Sequence, residues 1–427
     1  MDNRKANMNH PNTSKSTQKK VAIIGGGAAG FFAAISVKLH WPEAAVVILE
    51  KSNKLLAKVK ISGGGRCNVT HFCPDIAELS KAYPRGEKQL RKAFHQFSAT
   101  DTIHWFESRG VALKTYPDGC IFPKANDSQV IIDVFLKECL ALGIQILQQQ
   151  NITKISPKPN GLTIFNNDQE QYYDQVIICT GGSPKITGLS WLAELGIGLV
   201  EPLPSLFTFN MPQNPICELM GIVVPNATAK IEGTKLSGQG PLLITHWGMS
   251  GPAILLLSAW GARILAEKNY HFHVLINWLD TVKEEELRQL LNSTAAAHAA
   301  KKISNWNPTS LSNRLWVHLL ERSEIHPDLR WSELGKKALN KLVNTLLNDR
   351  FEVKGKTTFK EEFVTAGGVS LTEIDFQTMQ AKKYPQLSFA GEVLDIDGIT
   401  GGYNFQAAWT TGFIAGKHAL ASAVQTN

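Results

Sequence analysis

Three glycines are the first residues with a spacing that suggests chemistry. In the run KVAIIGGGAAGFFAAISVKL, starting at Lys20, Gly25, Gly27 and Gly30 stand in G-x-G-x-x-G register behind a short apolar stretch. That spacing suits a dinucleotide. The first glycine permits a tight strand-to-helix turn, the second lets backbone approach a pyrophosphate, and the third lets helix and strand pack closely. The helix then turns free N–H groups and the positive end of its dipole toward the phosphates. A second apolar run, AVVILE, ends at Glu50, 20 residues past Gly30. A carboxylate placed there can accept both ribose hydroxyls of an adenosine. Lys51 follows it, either as a further hold on the adenosine or as a plain exposed lysine.

The next segments separate the candidate cofactors. KSNKLLAKVKISGGGRCNVTH carries Gly63, Gly64 and Gly65 ahead of Arg66, Cys67 and Asn68. Consecutive glycines before a cation and an amide suit a backbone nest around a phosphate or a flattened ring. A simple NAD dehydrogenase has no need of one here. DQVIICTGGSPK reads as a buried strand ending in Thr180-Gly181-Gly182, where the chain can pass close to a cofactor. Near the end, LSFAGEVLDIDGITGGYNFQAAWTTGFIAGKHA brings Gly391-Glu392, then Asp395 and Asp397, then Gly401-Gly402-Tyr403-Asn404 opening an apolar helix. A helix N-terminus aimed at the N1 and O2 edge of a flavin would stabilise the negative charge gained on reduction. The chemistry implied is hydride transfer through FAD.

The donor side is less specified. Gly196-Ile197-Gly198 lacks a third glycine and Gly238-Gln239-Gly240 runs into Pro241, so no second dinucleotide fingerprint is present. NAD(P)H as electron donor would have to dock on the flavin face, and an oxidase returning electrons to oxygen fits equally well. His246, in LLITHWGMSGPA, is the catalytic candidate because an imidazole moves protons near neutral pH. The competing reading is a satisfied structural histidine. Cys67, beside Arg66, reads as a packing residue next to the cofactor rather than a thiolate. Arg66 suits a flavin phosphate or a substrate carboxylate. YPDGCIFP, from Tyr116, reads as a hairpin turning at Asp118-Gly119.

These residues need a large α/β frame, and the composition supplies one. The chain has 427 residues, 43% hydrophobic and 19% charged, enough to bury a substantial core. Its length suggests two or three domains, one of them inserted in another. The longest apolar run stops at Arg263, short of the roughly 18 residues of a membrane span. Part of the net charge of +7 comes from Arg4, Lys5, Lys15, Lys19 and Lys20, so residues 1–19 read as a solvated, disordered leader. No apolar run precedes Val21, which excludes a secretory signal peptide. The six cysteines form no C-x-x-C pair and are expected to be reduced, in a cytoplasmic protein with no metal site.

GGGAAG, KISGGGRCNVT, ICTGGSPK, LLITHWGMSGPAILLLS, FVTAGGVSLTEID and FAGEVLDIDGITGGYNFQAAWTTG together resemble the YhiN-like family of bacterial NAD(P)/FAD-dependent flavoproteins, also described as aminoacetone oxidase-like or BaiN-like. The resemblance runs from Val21 nearly to the C-terminus. It implies an α/β fold: a Rossmann-like FAD-binding domain in two sequence segments, with an inserted β-barrel-like domain and a small helical domain. On this chain the FAD domain takes 20–202 and 362–427, the β-rich domain 203–280 and 351–361, and the helical subdomain 281–350. Amphipathic helices are predicted near Lys88 to Arg109 and Asp127 to Leu142. The implied cofactor-binding residues are Gly25, Gly27, Ala28, Ala29, Gly30, Glu50, Lys51, Lys58, Gly64, Gly65, Arg66, Cys67, Asn68, Ile152, Thr180, Gly181, Gly182, Gly391, Glu392, Asp397, Gly401, Gly402, Tyr403 and Asn404. From Ile186 the chain departs from the family's glycine-rich stretch, so no contact is carried onto the segment that directly follows Gly182.

The expected function is an FAD-dependent oxidoreductase moving a hydride between a small organic substrate and flavin. NAD(P)H or oxygen is the other redox partner, and the oligomeric state stays open. A nucleic-acid partner is not expected. The alternatives are a non-catalytic flavin redox sensor and an RNA-associated flavoprotein related to tRNA-uridine-modifying enzymes. The RNA reading rests on Lys301, Lys302, Arg314, Arg322, Lys336, Lys337 and Lys341 interleaved with Trp306, Trp316 and Trp331.

Overall fold

The computed structural model describes residues 18–166, 169–280, 282–358 and 364–421. Residues 1–17 of the expected leader, and the boundary at residues 361 and 362, lie outside the described residues.

The apolar runs around the first glycines form the centre of a seven-stranded sheet. Its order is Ile374–Asp375, Gln380–Ala381, Leu387–Phe389, Gln175–Ile178, Lys20–Ile24, Ala45–Leu49 and Gln145–Leu147. The last five run parallel. Strands buried on both faces must be apolar throughout, and VAII, VVIL and QVII are. Leu387–Phe389 comes from the far end of the chain and pairs with Gln175–Ile178, so two distant segments build one sheet.

Against this sheet the first helix, Ala28–His40, packs on the last, Tyr403–Lys417. Gly412 and Gly416 make the contact possible. A Cβ on Gly412 would lie 2.8 Å from the Ala29 carbonyl oxygen, and one on Gly416 2.5 Å from that of Ala33. The helix predicted from Lys88 to Arg109 is instead two, Glu87–Ala93 and Ala99–Glu107, because Ser98 and Asp101 form a capping box that starts the second. Gln129–Ala141 matches its prediction.

The chain leaves this domain along Leu199–Ser205 and returns along Val364–Val369, which pair antiparallel with Ser205 opposite Val364. Beyond the ribbon lies a second sheet with every pairing antiparallel, in the order Asp349–Lys354, His271–Asn277, Val223–Ile231, Ser237–Thr245, Gly248–Ser250, Thr208–Asn210 and Lys356–Thr357. Its first and last strands are neighbours in the chain, separated only by Gly355. The Gly355 N–H donates to the Tyr270 carbonyl at 2.8 Å, and its own carbonyl accepts from the Asn210 N–H at 3.1 Å. Helices Glu284–Ala297, Asn313–Arg322 and Lys336–Asn348 turn Leu291, Trp316, Leu319 and Leu346 into the same core as Phe209, Ile244 and Val274. Sheet and helices therefore share one hydrophobic centre.

A buried ion pair joins the two bodies. Asp397, fully buried, receives Nε and Nη2 of Arg85 and the Ser205 hydroxyl, the last at 2.6 Å. Arg85 Nη1 continues to the Ala259 carbonyl at 2.6 Å. One turn further along the helix Pro252–Glu267, Arg263 grips both oxygens of Asp395 at 2.8 and 3.2 Å.

Removing one member of a buried pair strands the other charge. Arg85→Ala should therefore cost about 3–5 kcal/mol in urea unfolding, whereas Arg263→Ala, at a pair half-open to solvent, should cost about 0–1 kcal/mol. Equal losses would contradict the clamp.

Candidate functional site

At the carboxyl ends of the parallel strands the loops converge, which is where open α/β sheets bind ligands. Glu50 stands just past Ala45–Leu49. One carboxylate oxygen accepts the Gly26 N–H at 2.8 Å and the other the Ser52 N–H at 2.8 Å. Each bond uses part of an oxygen's capacity, leaving lone pairs for ribose hydroxyls. Gly25, Glu50, Lys51, Ile152 and Thr180 share the wall of a cavity of about 310 Å³.

Gly188, Ser190, Trp191 and Glu194 complete that wall. They belong to the segment from which no contact was carried over. They sit on a 3₁₀ turn and a short helix, Ile186–Leu189 and Ser190–Ala193, which return the chain to the cavity.

The glycines divide into two kinds. Gly25 and Gly30 are packing positions: a Cβ on Gly25 would meet the Cys179 carbonyl oxygen at 2.3 Å, and one on Gly30 the Gly25 oxygen at 1.9 Å. Gly27, Gly64, Gly65 and Gly181 have no protein atom within 4 Å of that point. Open space in front of these four, with the first at the N-terminus of Ala28–His40, would admit the pyrophosphate and flavin of the expected cofactor.

A third group lies between them. A Cβ on Gly391 would meet Ala29, next to Ala28 on the first helix, and one on Gly182 would meet Glu392 and Thr365. Glu392 receives the Lys58 ammonium at 2.6 Å and the Thr365 N–H at 3.0 Å. Thr365 Oγ1 is buried with no hydrogen-bond partner among the described residues. An unsatisfied buried hydroxyl is costly, and a polar ligand chain would satisfy it. The donor set fits FAD: Glu50 and Lys51 would face the adenosine, Gly27 and Ala28 the phosphates, and Lys58, Gly182 and Glu392 the part beyond them.

The glycine-rich loop meets the last helix next. Arg66 lies over the Phe122 ring, 4.3 Å from its centroid, and donates to the Gly63 carbonyl at 3.0 Å. The Asn68 side chain accepts the Ile121 N–H at 3.3 Å and would be 2.8 Å from a Cβ on Gly402. Gly401 and Gly402 both have positive φ and turn the chain into Tyr403–Lys417, while the Asn404 amide ties to both Gly398 backbone groups at 2.9 and 3.0 Å. The YPDGCIFP hairpin forms, and its strand Cys120–Pro123 pairs with Thr70–His71 behind the loop.

Two expected positions lie elsewhere. The carboxylate of Asp397 is engaged by Arg85 and Ser205 in the clamp between bodies, so its place in the acidic loop serves docking. His246 is exposed on the turn between Ser237–Thr245 and Gly248–Ser250, edge-on to Trp247 at 4.3 Å. His71, which was not singled out, lies beside Gly401 with Nδ1 3.2 Å from its carbonyl oxygen. Among the described residues no cluster of His, Cys, Asp or Glu could hold a metal, and no helix is long and apolar enough to cross a membrane.

Cys67 is fully buried, and burial pushes its thiol up to about 12. At pH 8 its thiolate fraction is then on the order of 10⁻⁴. Iodoacetamide on the native protein should modify the partly exposed Cys73 and Cys217 and spare Cys67. Labelling of Cys67 at a comparable rate would contradict its packing role.

Gly27→Ala should fold, because Gly27 has φ −97° and open space ahead of it, yet hold FAD about 10- to 100-fold more weakly as the methyl group enters the cradle. Gly30→Ala should fail to fold. Flavin absorbance after dialysis, with circular dichroism as the check on folding, separates the two; a Gly27→Ala protein that keeps its flavin would rule out the cradle.

A family model described as "HI0933-like protein Rossmann domain" matches residues 19–418. Among curated relatives, the ribosomal RNA dihydrouridine synthase of Escherichia coli K12 is 29% identical over 413 residues, covering 94% of this chain and 98% of the relative. The 3-dehydro-bile acid delta(4,6)-reductase of Clostridium scindens is 26% identical over 408 residues, with 94% and 98% covered. Two solved structures share the fold at a TM-score of 0.50. One is the FrdA chain of Escherichia coli quinol fumarate reductase, at 15% identity with 96% of this chain and 71% of that chain covered. The other is the 3-ketosteroid-delta4-(5alpha)-dehydrogenase of Rhodococcus jostii RHA1, at 12% identity with 96% and 98% covered. The chain belongs to the HI0933-like Rossmann-domain family and is an FAD-dependent oxidoreductase.

Proposed function

We propose that this enzyme saturates a carbon–carbon double bond conjugated to a carbonyl group in a small organic substrate, with NAD(P)H as the reductant. One observation carries the reading: two relatives matched over 98% of their lengths are named for the same kind of reduction. Dihydrouridine is uridine with its ring double bond saturated beside a carbonyl, and a 3-dehydro delta(4,6) steroid presents double bonds conjugated to its ketone. Both need a hydride at the carbon remote from the carbonyl and a proton at the nearer one. Bound FAD supplies the hydride.

The protein's own residues do the rest. Glu50 and the cavity wall fix the adenosine end, Gly27 and the first helix fix the phosphates, and the Gly401-Gly402 turn sets the helix N-terminus against the ring. We place the substrate between this ring and the inserted body, with the FAD domain at 20–202 and 362–427, a barrel-like domain at 203–280 and 351–361, and the helical subdomain at 281–350 forming the cap. The Arg85–Asp397 clamp supports the reading by docking that cap beside the flavin loop.

The second reading is a uracil base in RNA, favoured by the dihydrouridine synthases at 29% and 27% identity. Of the tryptophans in the helical insert, Trp316 and Trp331 are core residues, and Trp306 is exposed with the Lys301 ammonium 3.9 Å from its ring centroid. Lys302, Arg322 and Lys341 there are already paired with Asp328, Asp349 and Glu324.

Anaerobic addition of NADH or NADPH should bleach the flavin band near roughly 450 nm, and a 4,6-unsaturated 3-keto steroid should restore it with a product two hydrogens heavier. Restoration by unmodified ribosomal RNA and not by enones would move the assignment to RNA. No restoration by either, with rapid reoxidation by an amine substrate's imine or by oxygen alone, would overturn it.

A further inference from the structure

We propose that Tyr403 is the proton donor of this reduction and that His71 is the positioning residue that holds it. The proposal rests on the conjugated-double-bond reading above. Reducing such a bond needs an acid at a fixed place beside the ring, which neither His246 nor the buried Cys67 provides.

Tyr403 is the first residue of the last helix, directly after the Gly401-Gly402 turn and next to Asn68 of the glycine-rich loop. Its ring is held on several sides. His71 stacks on it at 4.6 Å with an interplanar angle of 22°, and Tyr83 meets it edge-on at 6.0 Å. A Cβ on Gly401 would come within 3.1 Å of the ring, and one on Gly398 within 2.8 Å of the Tyr403 Cβ. The backbone is fixed too, since the Tyr83 hydroxyl donates to the Tyr403 carbonyl at 2.8 Å. Yet no hydrogen bond among the described residues holds the Tyr403 hydroxyl, and the residue is only half-buried. A ring so constrained with a free hydroxyl is a donor waiting for an acceptor.

Its neighbours are less suited. The Cys73 thiol donates to the Asp75 carbonyl, and the Asn68 side chain hydrogen-bonds that of Cys120. His71 commits Nδ1 to Gly401, which fixes the imidazole in its stack on Tyr403. Burial holds the Tyr403 phenol well above its ordinary value and the His71 imidazole below its own. The phenol is therefore protonated across the working pH range, and the imidazole beside it is neutral above its lowered value.

In the step, the hydride bonds to the carbon remote from the carbonyl, and the electron pair of the double bond takes the phenolic proton at the nearer carbon. The O–H bond breaks, the second C–H bond forms, and the phenolate recovers a proton from water. The two electrons come from NAD(P)H, so the sum is NAD(P)H plus one proton consumed per double bond saturated.

Tyr403→Phe keeps the stack and removes the proton. Expected results, read per flavin bound, are reoxidation by the steroid dienone or by RNA slowed about 100-fold or more, and slowed at least about 10-fold more than anaerobic reduction by NAD(P)H is. Reoxidation by oxygen should slow far less than reoxidation by substrate. Binding of the saturated product to the oxidised enzyme, read by calorimetry, should weaken about 2- to 5-fold. For His71, Ala should slow reoxidation and lower the solvent deuterium isotope effect on it, while Phe, which restores the stack, should recover both. Wild-type reoxidation by substrate with Tyr403→Phe equally fast overturns the donor assignment alone. A wild type that neither substrate reoxidises overturns the double-bond reading and the donor with it. His71→Phe behaving like Ala removes the positioning role.

Discussion

The molecule depends on one close approach of backbone to backbone. The last helix lies against the first at Gly412 and Gly416, where any side chain would strike the carbonyls of Ala29 and Ala33. Bulk at either glycine would push the helices apart by more than packed interiors tolerate. Two consequences follow from the contact. The N-terminus of the last helix is brought to the glycine-rich loop, and Gly391 is brought against Ala29, at the N-terminus of the first helix. A cofactor site made from residues nearly 400 apart in sequence is fixed by two missing methyl groups.

The acidic loop between Gly391 and Gly402 then links three tasks. At one end Glu392 holds Lys58 and the Thr365 N–H. At the other, the double glycine turn delivers Tyr403. Between them Asp395 and Asp397 take Arg263 and Arg85, so the inserted body is fastened to the same twelve-residue stretch that shapes the cofactor site. Any displacement of the insert is therefore felt at the flavin loop through a buried pair, whose loss is costly, rather than through surface contacts.

Much of the fold was legible because its signals are local. Strand, glycine spacing, helix and terminal acid lie within thirty residues, and each element reads from its own apolar period. The hairpin at Asp118-Gly119 and the helix from Gln129 were equally local. What failed to show were pairings across long separations. Asp397 looked like a cofactor ligand because it sits in the flavin loop; its partner, Arg85, is 312 residues away and carries no motif. Trp316 and Trp331 could be read either as part of a basic, aromatic face or as core tryptophans of an amphipathic bundle, because helical spacing alone does not say which face is inward, and both are core. His71 was overlooked because a histidine six residues after Gly65 has meaning only once the last helix is laid against it.

The division of labour bears on specificity. The proposed cofactor-cradle groups and the Tyr403–His71 stack belong to the Rossmann body, while the insert presents His246 on an exposed turn, edge-on to Trp247. Relatives named for a ribosomal RNA and for a bile acid match this chain over the same 94% of its length. An architecture shared that completely cannot be what distinguishes such substrates. On the proposed placement of the substrate, the distinction would lie in the side chains with which the insert faces the flavin domain, where a cap held in register by the buried clamp can select by shape and a loose one could only exclude water.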